Sequence, residues 1–293
     1  MSIKIITDKN IIVSKKKRMN LQLEVSGGKY PYKWILLKDL PNNIKLGPSG
    51  VLKAHPQTNG TFKIPIKVID SNGNFKKKIF NLTIMDYIEK LFLKLQKEPS
   101  DINEHLKTLK KLSSKCDVVI EFGVRGMVSM LAIATSGCKN IYGYDVNHPI
   151  IHNPNRYENL KFYCEKKKIN LNITEGDILN LETIPACDML FIDTYHSYKQ
   201  LKTELFLFSK FVKKYIVMHD TVAFGDSDEC CMSNEEWYEK YKNNKKVMEL
   251  FDINCKKEGL NNAIKDFLNK NNDWEIFKFF QNNNGLTILK RKK

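Results

Sequence analysis

Acidic side chains follow the predicted strands in the second half of this sequence, where each strand gives way to a loop. Asp145, Asp177 and Asp193 come at or shortly after three predicted strands, and the pair His219-Asp220 follows another. The carboxyl ends of parallel strands meet along one edge of a sheet, and loops at that edge carry function in open α/β folds. A single Asp there often only caps a helix. The set together predicts a site where several carboxylates converge.

Two of these residues, Asp193 and Asp220, could hold a divalent metal ion. Two hard carboxylates at adjacent strand ends suit Mg²⁺, which keeps several waters and accepts substrate oxygens. His219 precedes Asp220, and imidazole suits Mg²⁺ less well than carboxylate. The sequence therefore predicts a metal site, but it leaves open which metal binds and whether one is required.

The stretch that would position these residues runs from Asp117 to Ala134. An apolar run ends in Glu121-Phe122, the turn Gly123-Val-Arg-Gly126 follows, and an apolar helical segment begins at Met127. The two glycines let the backbone turn without a Cβ clash. A helix starting there aims its N-terminus at the strand end, where open α/β sheets hold nucleotide-like ligands. The carboxylate of Glu121 favours a cationic, phosphate-free cofactor, although such a turn also occurs in loops that only need a positive φ.

From residue 86 onward strands and helices alternate, which predicts a parallel sheet with helices on both faces. Helical periodicity covers 87–95 and 102–112. Strands are predicted at 117–122, 140–145, 169–174, 188–193 and 215–219, followed by a terminal antiparallel hairpin at 274–280 and 285–289. The polar segment 223–258, which contains Trp237 and Tyr238, is predicted to be a mobile region or a lid.

Residues 3–85 have a different pattern. Short alternating runs at 21–25, 32–36, 60–69 and 75–84 are separated by turn signals. They predict a small antiparallel β-sandwich. The change of period near Met85 predicts two separately folded domains, 1–85 and 86–293.

The chain is basic, with 48 Lys and Arg against 33 Asp and Glu and a formal net charge of +15. Such a charge could serve nucleic acid, an acidic substrate or an anionic surface. The lysine clusters at 15–18, 76–78, 166–168 and 290–293 are not interleaved with aromatic residues in a nucleic-acid module. We therefore expect solvated faces and no nucleic-acid partner.

Seven cysteines, an odd number without any Cys-x-x-Cys pair, predict reduced thiols and argue against a zinc site or a disulfide framework. They include Cys230 and Cys231. No apolar run reaches the length of a signal peptide core or a membrane span. The expectation is a cytoplasmic protein without a membrane partner, and a homo-oligomer is left open.

Five motifs in the second half resemble the class I S-adenosylmethionine-dependent methyltransferases. Within that class they are most similar to the metal-dependent small-molecule O-methyltransferases related to macrocin O-methyltransferase and the cephalosporin-hydroxylase group. The motifs, which cover about Leu112 to Arg291, are Glu121-Phe-Gly-Val-Arg-Gly126, Phe191-Ile-Asp-Thr-Tyr-His-Ser-Tyr198, Tyr215-Ile-Val-Met-His-Asp-Thr221, Gly259-Leu-Asn-Asn-Ala-Ile-Lys-Asp-Phe-Leu268 and Asn284-Gly-Leu-Thr-Ile288. The resemblance implies a Rossmann-like sheet, S-adenosyl-L-methionine as cofactor, and methyl transfer to a hydroxyl of a sugar or glycosylated small molecule.

The resemblance also implies roles for individual residues. The methionine end of the cofactor would be lined by Glu121 and Gly123 with Gly126, the ribose hydroxyls would be held by Asp145, and the adenine by Asp177 with Ile178. A vicinal diol suits a bidentate carboxylate acceptor, which agrees with the role given to Asp145.

At the reacting centre, the resemblance implies that Asp193, His219 and Asp220 hold the metal, with His219 in the place of a third acidic ligand. His196 matches the general-base histidine, and Asp193 is the second catalytic candidate. The alternative for His196 is a helix cap or a surface histidine. Met127 departs from the pattern, because relatives often have a third glycine there.

The first part of the chain, about Leu21 to Ile84, is similar to immunoglobulin-like domains appended to many surface and carbohydrate-active proteins. Such modules are spacers or adhesive units, so a scaffold role is expected here.

Two other functions compete. A nicotinamide dehydrogenase would need Gly-x-Gly-x-x-Gly, which is absent from the turn after Glu121. The alternative that stays open is a methyltransferase fold without activity, in which the β-sandwich is the interacting part.

Overall fold

The computed structural model describes residues 2–41, 43–229 and 232–292. The chain divides into two compact units, Met1–Leu91 and Phe92–Lys293. The division falls within helix α1 (Tyr87–Leu95). Independent folding of 1–85 and 86–293 stays a prediction, for which the following experiment is the test.

We expect residues 86–293, expressed alone, to be soluble and to unfold in one cooperative transition, because this part of the chain has its own sheet, helices and core. Circular dichroism during heating measures the transition. Insoluble protein, or a thermal scan without a transition, would contradict independent folding.

The N-terminal unit contains nine strands within its described residues. They are β1 (Lys4–Ile5), β2 (Asn10–Ser14), β3 (Met19–Gln22), β4 (Val25–Ser26), β5 (Lys33–Leu36), β6 (Ile44–Leu46), β7 (Val51–Ala54), β8 (Gly60–Ile69) and β9 (Phe75–Met85). They form a four-stranded sheet β2-β9-β8-β5, a three-stranded sheet β3-β7-β6 and the pair β1-β4. The two larger sheets share one core, in which Trp34, Leu52 and Phe80 are buried. The predicted two-sheet architecture is therefore present.

One feature of this unit differs from the predicted antiparallel arrangement. Strand β2 pairs with β9 in parallel, with Asn10 opposite Asn81 and Ser14 opposite Met85. A parallel pair needs a long connection that returns to the same end of the sheet. Here residues 15–74 provide it, a separation that local turn signals could not reveal.

The C-terminal unit alternates strands and helices, as predicted. Its strands are β10 (Val118–Phe122), β11 (Asn140–Asp145), β12 (Asn170–Glu175), β13 (Cys187–Ile192), β14 (Val212–His219), β15 (Trp274–Phe280) and β16 (Leu286–Arg291). Its further helices are α2 (Leu106–Ser113), α3 (Val128–Ala134), α4 (Pro154–Lys167), α5 (Tyr198–Phe208), α6 (Asn234–Tyr241), α7 (Lys245–Met248) and α8 (Leu260–Lys270).

The sheet of this unit has the order β12-β11-β10-β13-β14-β16-β15 within the described residues. The five strands from β12 to β14 run parallel, and β16 is antiparallel to both of its neighbours. The connections reverse direction at β10. In open α/β sheets the crevice at such a reversal is where ligands bind.

Helices cover both faces of this sheet, since neighbouring side chains of β10 contact different helices. Ile120 and Phe122 pack into a core with side chains of α5 and α8. Glu121, between them, points to the opposite face and accepts a hydrogen bond from Ser129 of α3. The Rossmann-like arrangement predicted from the sequence is confirmed at this level.

Five cysteines fall among the described residues, and all five are free thiols: Cys116, Cys138, Cys164, Cys187 and Cys255. Burial raises the pKa of Cys116, Cys164 and Cys187 to about 12. Cys230 and Cys231 lie outside the described residues. None of the helices in the described part of the chain is long and apolar enough to cross a membrane.

Candidate active site

A cavity of about 850 Å³ opens at the carboxyl ends of the parallel strands. Most of the predicted site residues line it: Gly123, Gly126, Asp145, Asp177, Ile178, Asp193, His196 and Asp220. Glu121 and His219 are instead buried behind its wall, with 0% and 2% of their surface exposed. Residues separated by about a hundred positions in the chain thus meet in one place, as the strand-end pattern predicted.

The turn after β10 passes very close to the loop after β13. Gly123 has φ +83°, and a Cβ atom there would lie 1.9 Å from the carbonyl oxygen of Asp193. Only glycine fits this position. At Gly126, by contrast, the nearest atom to an added Cβ would be 3.7 Å away. The sequence motif predicts the same role for both glycines, whereas in the structure only Gly123 is required for steric reasons.

Met127 stands at the N-cap of α3 with φ +60°, in the left-handed region. A side chain with a Cβ is disfavoured there by about 1–2 kcal/mol. This backbone conformation explains why a glycine would suit the position. The Met127 side chain is fully buried, so it contributes packing that a glycine would lack.

Asp145, at the end of β11, fastens the glycine turn. Its Oδ2 accepts hydrogen bonds from the backbone N–H groups of Val124 (2.8 Å) and Arg125 (2.7 Å), and its Oδ1 accepts one from Asn147 (3.0 Å). Each carboxylate oxygen has two lone pairs. Asp145 can therefore hold the turn and still accept a hydrogen bond from a ligand in the cavity.

Asp177 is held by helix α6, which forms part of the cavity wall. Tyr241 donates its hydroxyl hydrogen to Asp177 Oδ2 (2.8 Å), and the Lys240 ammonium lies 3.0 Å from the same oxygen. Trp237 and Tyr241 bury their rings in a small separate cluster with Leu179 and Val247. The sequence identified Trp237 in a lid segment, but it missed Tyr241 and Lys240.

Glu121 has an unusual environment for a carboxyl group. It is fully buried, accepts a hydrogen bond from Ser129, and has no partner for Oε2 among the described residues. Burial raises its pKa well above the ordinary value, and the negative charges of Asp193 and Asp145 add to the shift. Ser129 itself lines the cavity, so Glu121 contacts the cavity lining through Ser129.

Two histidines and two aspartates form one cluster at the ends of β13 and β14. His196 Nε2 lies 2.9 Å from Asp220 Oδ2 and 3.3 Å from Asp193 Oδ1. His219 Nδ1 lies 3.3 Å from each of the same two oxygens. The two imidazoles therefore share a pair of carboxylates.

The cluster shifts the pKa of every member. Burial disfavours the charged imidazoles, but hydrogen bonds and Coulomb attraction to Asp193 and Asp220 outweigh it and raise the pKa of His196 and of His219 to about 10. For the aspartates, burial is outweighed by the histidines, and their pKa values are lowered. A neutral imidazole, which a base requires, would exist here only where other positive charge offsets the carboxylates.

The donor atoms of Asp193, His219 and Asp220 lie within 4.8 Å of one another. Asp220 Oδ1 is buried without a hydrogen-bond partner among the described residues. Burying a carboxylate oxygen without a hydrogen-bond partner costs free energy unless a cation coordinates it. The residues therefore fit a divalent metal, and a set of two oxygens and one imidazole nitrogen also admits metals softer than Mg²⁺.

His196 has two further neighbours that the sequence did not reveal. Its Nδ1 lies 2.8 Å from Glu229 Oε2, and its ring stacks on Phe224 at 4.9 Å between centroids. The helix cap is Ser197, whose hydroxyl accepts from Gln200. The cap alternative for His196 therefore does not describe its contacts. Glu229 sits in a run of acidic residues, and no spacing rule links it to His196.

His219 is oriented from behind by the 100–105 segment. Its Nε2 lies 3.1 Å from the carbonyl oxygen of Asp101 and must donate to it, which leaves Nδ1 facing the two aspartates. The ring of His105 contacts the His219 ring edge-on at 5.8 Å. This arrangement fixes the ring plane of His219.

The segment 100–105 is in turn tied to the turn between β15 and β16. His105 Nε2 lies 3.0 Å from the carbonyl oxygen of Asn282, and the side chain of Asn283 donates to Ser100. The carbonyl oxygen of Asn284 accepts from the N–H groups of both Val222 and Ala223 (2.8 and 2.9 Å). The turn formed by residues 282–284, which we call the asparagine turn, thus supports both sides of the cluster of Asp193, His219 and Asp220.

Glu204 of α5 lies behind the cavity, and its protonation makes the stability of the protein depend on pH. It is fully buried, accepts from Thr194 (2.8 Å) and Gln200 (2.7 Å), and leaves Oε2 without a partner among the described residues. Burial raises its pKa to about 7, partly offset by these hydrogen bonds. The folded protein therefore binds this proton more tightly than the unfolded chain does, and this stabilisation, complete below about pH 4.5, is lost as the pH rises through about 7.

We expect Glu204→Gln to remove that loss. From pH 5 to pH 8, the free energy of unfolding of the parent protein should fall by on the order of 2–3 kcal/mol more than that of the variant. Urea unfolding at both pH values measures the difference. Glu258→Gln, at an exposed glutamate, is the control, and parallel pH profiles for Glu204→Gln and the parent would contradict the prediction.

The solved structures to which the chain is similar include several O-methyltransferases. The chain is similar to a putative O-methyltransferase from Klebsiella pneumoniae (14% identity, 71% of this chain and 91% of that chain, TM-score 0.44). It is also similar to the O-methyltransferase from Bacillus cereus in complex with SAH (13%, 71% and 91%, TM-score 0.45). A third is TomG from Streptomyces achromogenes, an O-methyltransferase of tomaymycin synthesis in complex with SAM (11%, 71% and 91%, TM-score 0.44).

No protein-family model matches the chain, and no curated protein matches it. The structural similarities have TM-scores below 0.5. A function for this protein therefore has to be supported by the contacts within the cavity.

Proposed function

We propose that this protein transfers a methyl group from S-adenosyl-L-methionine to a hydroxyl oxygen, with a sugar or a glycosylated small molecule as the acceptor. The observation that carries the proposal is that one cavity contains both halves of the required site. The glycine turn with Asp145 lies on one side, and His196 with Asp193 and Asp220 lies on the other. The motif resemblance assigned the same two halves to cofactor and acceptor.

On the cofactor side, Asp145 would accept a hydrogen bond from a ribose hydroxyl with the one lone pair, on Oδ1, that its three backbone hydrogen bonds leave free. Asp177 and Ile178 would border the adenine, closed from outside by Trp237 and Tyr241. Ser129, fixed by Glu121, would face the methionine end. S-adenosylmethionine supplies an electrophilic methyl group on a sulfonium.

On the acceptor side, His196 would take the proton of the attacking hydroxyl at Nε2. Its Nδ1–H donates to Glu229, which fixes the tautomer with Nε2 directed at the aspartates. The acceptor oxygen would form a bond to the methyl carbon as the carbon–sulfur bond breaks, and S-adenosylhomocysteine would leave as a neutral thioether. Holding the oxygen in line with that bond supplies much of the remaining rate.

Asp193, His219 and Asp220 would hold a divalent cation, with Mg²⁺ as the first candidate. A bound cation supplies positive charge beside the acceptor oxygen and offsets the carboxylates that otherwise keep His196 protonated. The N-terminal unit, with two sheets around one core, would serve as an immunoglobulin-like scaffold.

A thermal-shift scan tests the proposal, because a ligand bound only by the native state raises the melting temperature. S-adenosylmethionine is expected to raise it, and NAD is not. A shift with NAD alone would contradict the proposal. Binding of S-adenosylmethionine without methyl transfer to any of a panel of hydroxylated sugars would favour the inactive alternative.

We expect Asp145→Ala to weaken S-adenosylmethionine binding by about ten- to 150-fold, since a hydrogen bond to a charged group contributes about 1.5–3 kcal/mol. Isothermal titration calorimetry measures the affinity. The control is Glu175→Ala, an exposed carboxylate opposite Asp145 on β12. Equal affinities for both variants would show that Asp145 does not contact the cofactor.

A further inference from the structure

The four-stranded sheet of the N-terminal unit has an unusual composition. Its four strands, all of them fully described, contain six lysines and neither Asp nor Glu. The unit as a whole has 17 Lys and Arg but only 6 Asp and Glu, which accounts for 11 of the chain's net charge of +15. The positive charge is therefore concentrated in the unit that does not contain the candidate active site.

Four of the six lysines of this sheet lie on its outward face; Lys76 and Lys78 alternate to the other side. Ile64, Ile66 and Val68 of β8 are fully buried in the core, so the alternating residues between them point outward. The same alternation places residues of β9 and β5 on that side. We call this surface the lysine face; it consists of Lys33, Lys63, Lys67, Lys77, Phe75 and Ile79.

Two lysines of this face oppose each other directly. Lys67 of β8 is paired with Lys77 of β9, and both ammonium groups lie over the ring of Phe75, at 4.3 and 5.9 Å from its centroid. Like charges directly opposite across two strands are unfavourable. The aromatic ring attracts both cations, but no carboxylate in these strands neutralises them. An anion above this pair would relieve the repulsion.

The lysine face also exposes apolar side chains. Phe75 is 54% exposed and Ile79 57% exposed. Nucleic-acid surfaces combine positive charge with aromatic rings on which bases stack, and Ile79 offers no such ring. A bilayer with anionic headgroups accepts both features, because lysines attract the headgroup phosphates while apolar side chains enter the boundary with the acyl chains.

We propose that the lysine face docks peripherally on an anionic lipid bilayer. This replaces the expectation of a solvated face for Lys77 and the expectation that the protein has no membrane partner, and it is independent of the proposed methyl transfer. Binding would bring the N-terminal unit to the lipid surface and so keep the whole chain near it.

Co-sedimentation of the full-length protein with vesicles tests this proposal. We expect binding to phosphatidylcholine vesicles that contain about 30% phosphatidylglycerol, no binding to pure phosphatidylcholine, and loss of binding as salt screens the charges. Equal binding to both vesicle types, or to neither, would overturn it.

Charge reversal by Lys67→Glu with Lys77→Glu should weaken vesicle binding by at least about tenfold, since each lysine near an anionic surface contributes measurably. The matched control is Lys45→Glu with Lys53→Glu, an exposed and directly opposed pair on the three-stranded sheet. It changes the net charge equally but on a different face. Equal losses for both double variants would show that net charge alone drives binding, and would overturn the proposal.

Two further measurements test apolar insertion into the bilayer and the alternative that nucleic acid is the ligand. Ile79→Ser alters an exposed side chain and is expected to leave the melting temperature unchanged while weakening vesicle binding several-fold, by loss of apolar insertion. An oligonucleotide of mixed sequence is the competitor. Phosphatidylglycerol vesicles added as a second competitor give the comparison. If the oligonucleotide displaces the protein from vesicles at a lower concentration than these added vesicles do, nucleic acid is the ligand and the lipid assignment is overturned.

Discussion

His196→Ala lowers the rate of methyl transfer by about 10²–10⁴-fold, and leaves the affinity for S-adenosylmethionine unchanged, if His196 is the general base. The expected effect is large because His196 is the histidine that lines the cavity at the carboxylate cluster, with its tautomer fixed by Glu229. Single-turnover rates measure the chemical step, and calorimetry measures the affinity.

His152→Ala is the control for this experiment, because His152 also lines the cavity but is not part of the carboxylate cluster. An active His196→Ala enzyme would remove His196 from the mechanism and make His219 the next candidate. Full activity in the presence of a chelator, together with a large loss in His196→Ala, would indicate a metal-free reaction in which histidine alone takes the proton.

Gly123→Ala should have the largest effect on stability. The new Cβ would overlap the backbone carbonyl of Asp193, and alanine is disfavoured at φ +83°. The N–H of Gly123 donates to the carbonyl oxygen of Tyr144 and that of Asp193 to Phe122, so neither strand end can move without breaking these hydrogen bonds. We expect a loss on the order of 2–5 kcal/mol in the free energy of unfolding.

Gly126→Ala is the matched control in the same turn, where an added Cβ has ordinary contacts. It should change the free energy of unfolding by at most about 1 kcal/mol, in either direction. Urea unfolding followed by tryptophan fluorescence measures both variants. Similar stabilities for Gly123→Ala and Gly126→Ala would mean that the turn after β10 is not packed against Asp193 as described.

The sequence predicted the convergence of the site because it depends on local patterns. The strands β10, β11, β13 and β14 contain short runs of apolar or aromatic residues, and the residue at the end of such a run is visible without knowing the fold. Asp145, Asp193 and Asp220 could therefore be predicted from the sequence. Contacts that depend on how distant loops return were not predictable, and these include Glu229 beside His196 and the carbonyl group of Asp101 behind His219.

Backbone conformation was a second source of difference. The left-handed angle at Met127 could not be inferred from a methionine, because residues with a Cβ rarely adopt it. The left-handed angle at Asp220 (φ +58°) was equally hidden. Asp220 lines the cavity, and Met127 lies between Gly126 and Val128, which line it; strained backbone is common at functional sites of proteins.

The asparagine turn at 282–284 has a consequence for the order of folding. The hydrogen bond between His105 and Asn282 joins residues 177 positions apart in the chain, so the support behind His219 cannot form until a very long loop has closed. Contacts of such sequence separation are slow to form. We expect the carboxylate and histidine cluster to gain protection from hydrogen exchange later than β10 and β11, and pulse-labelled exchange during refolding measures that order.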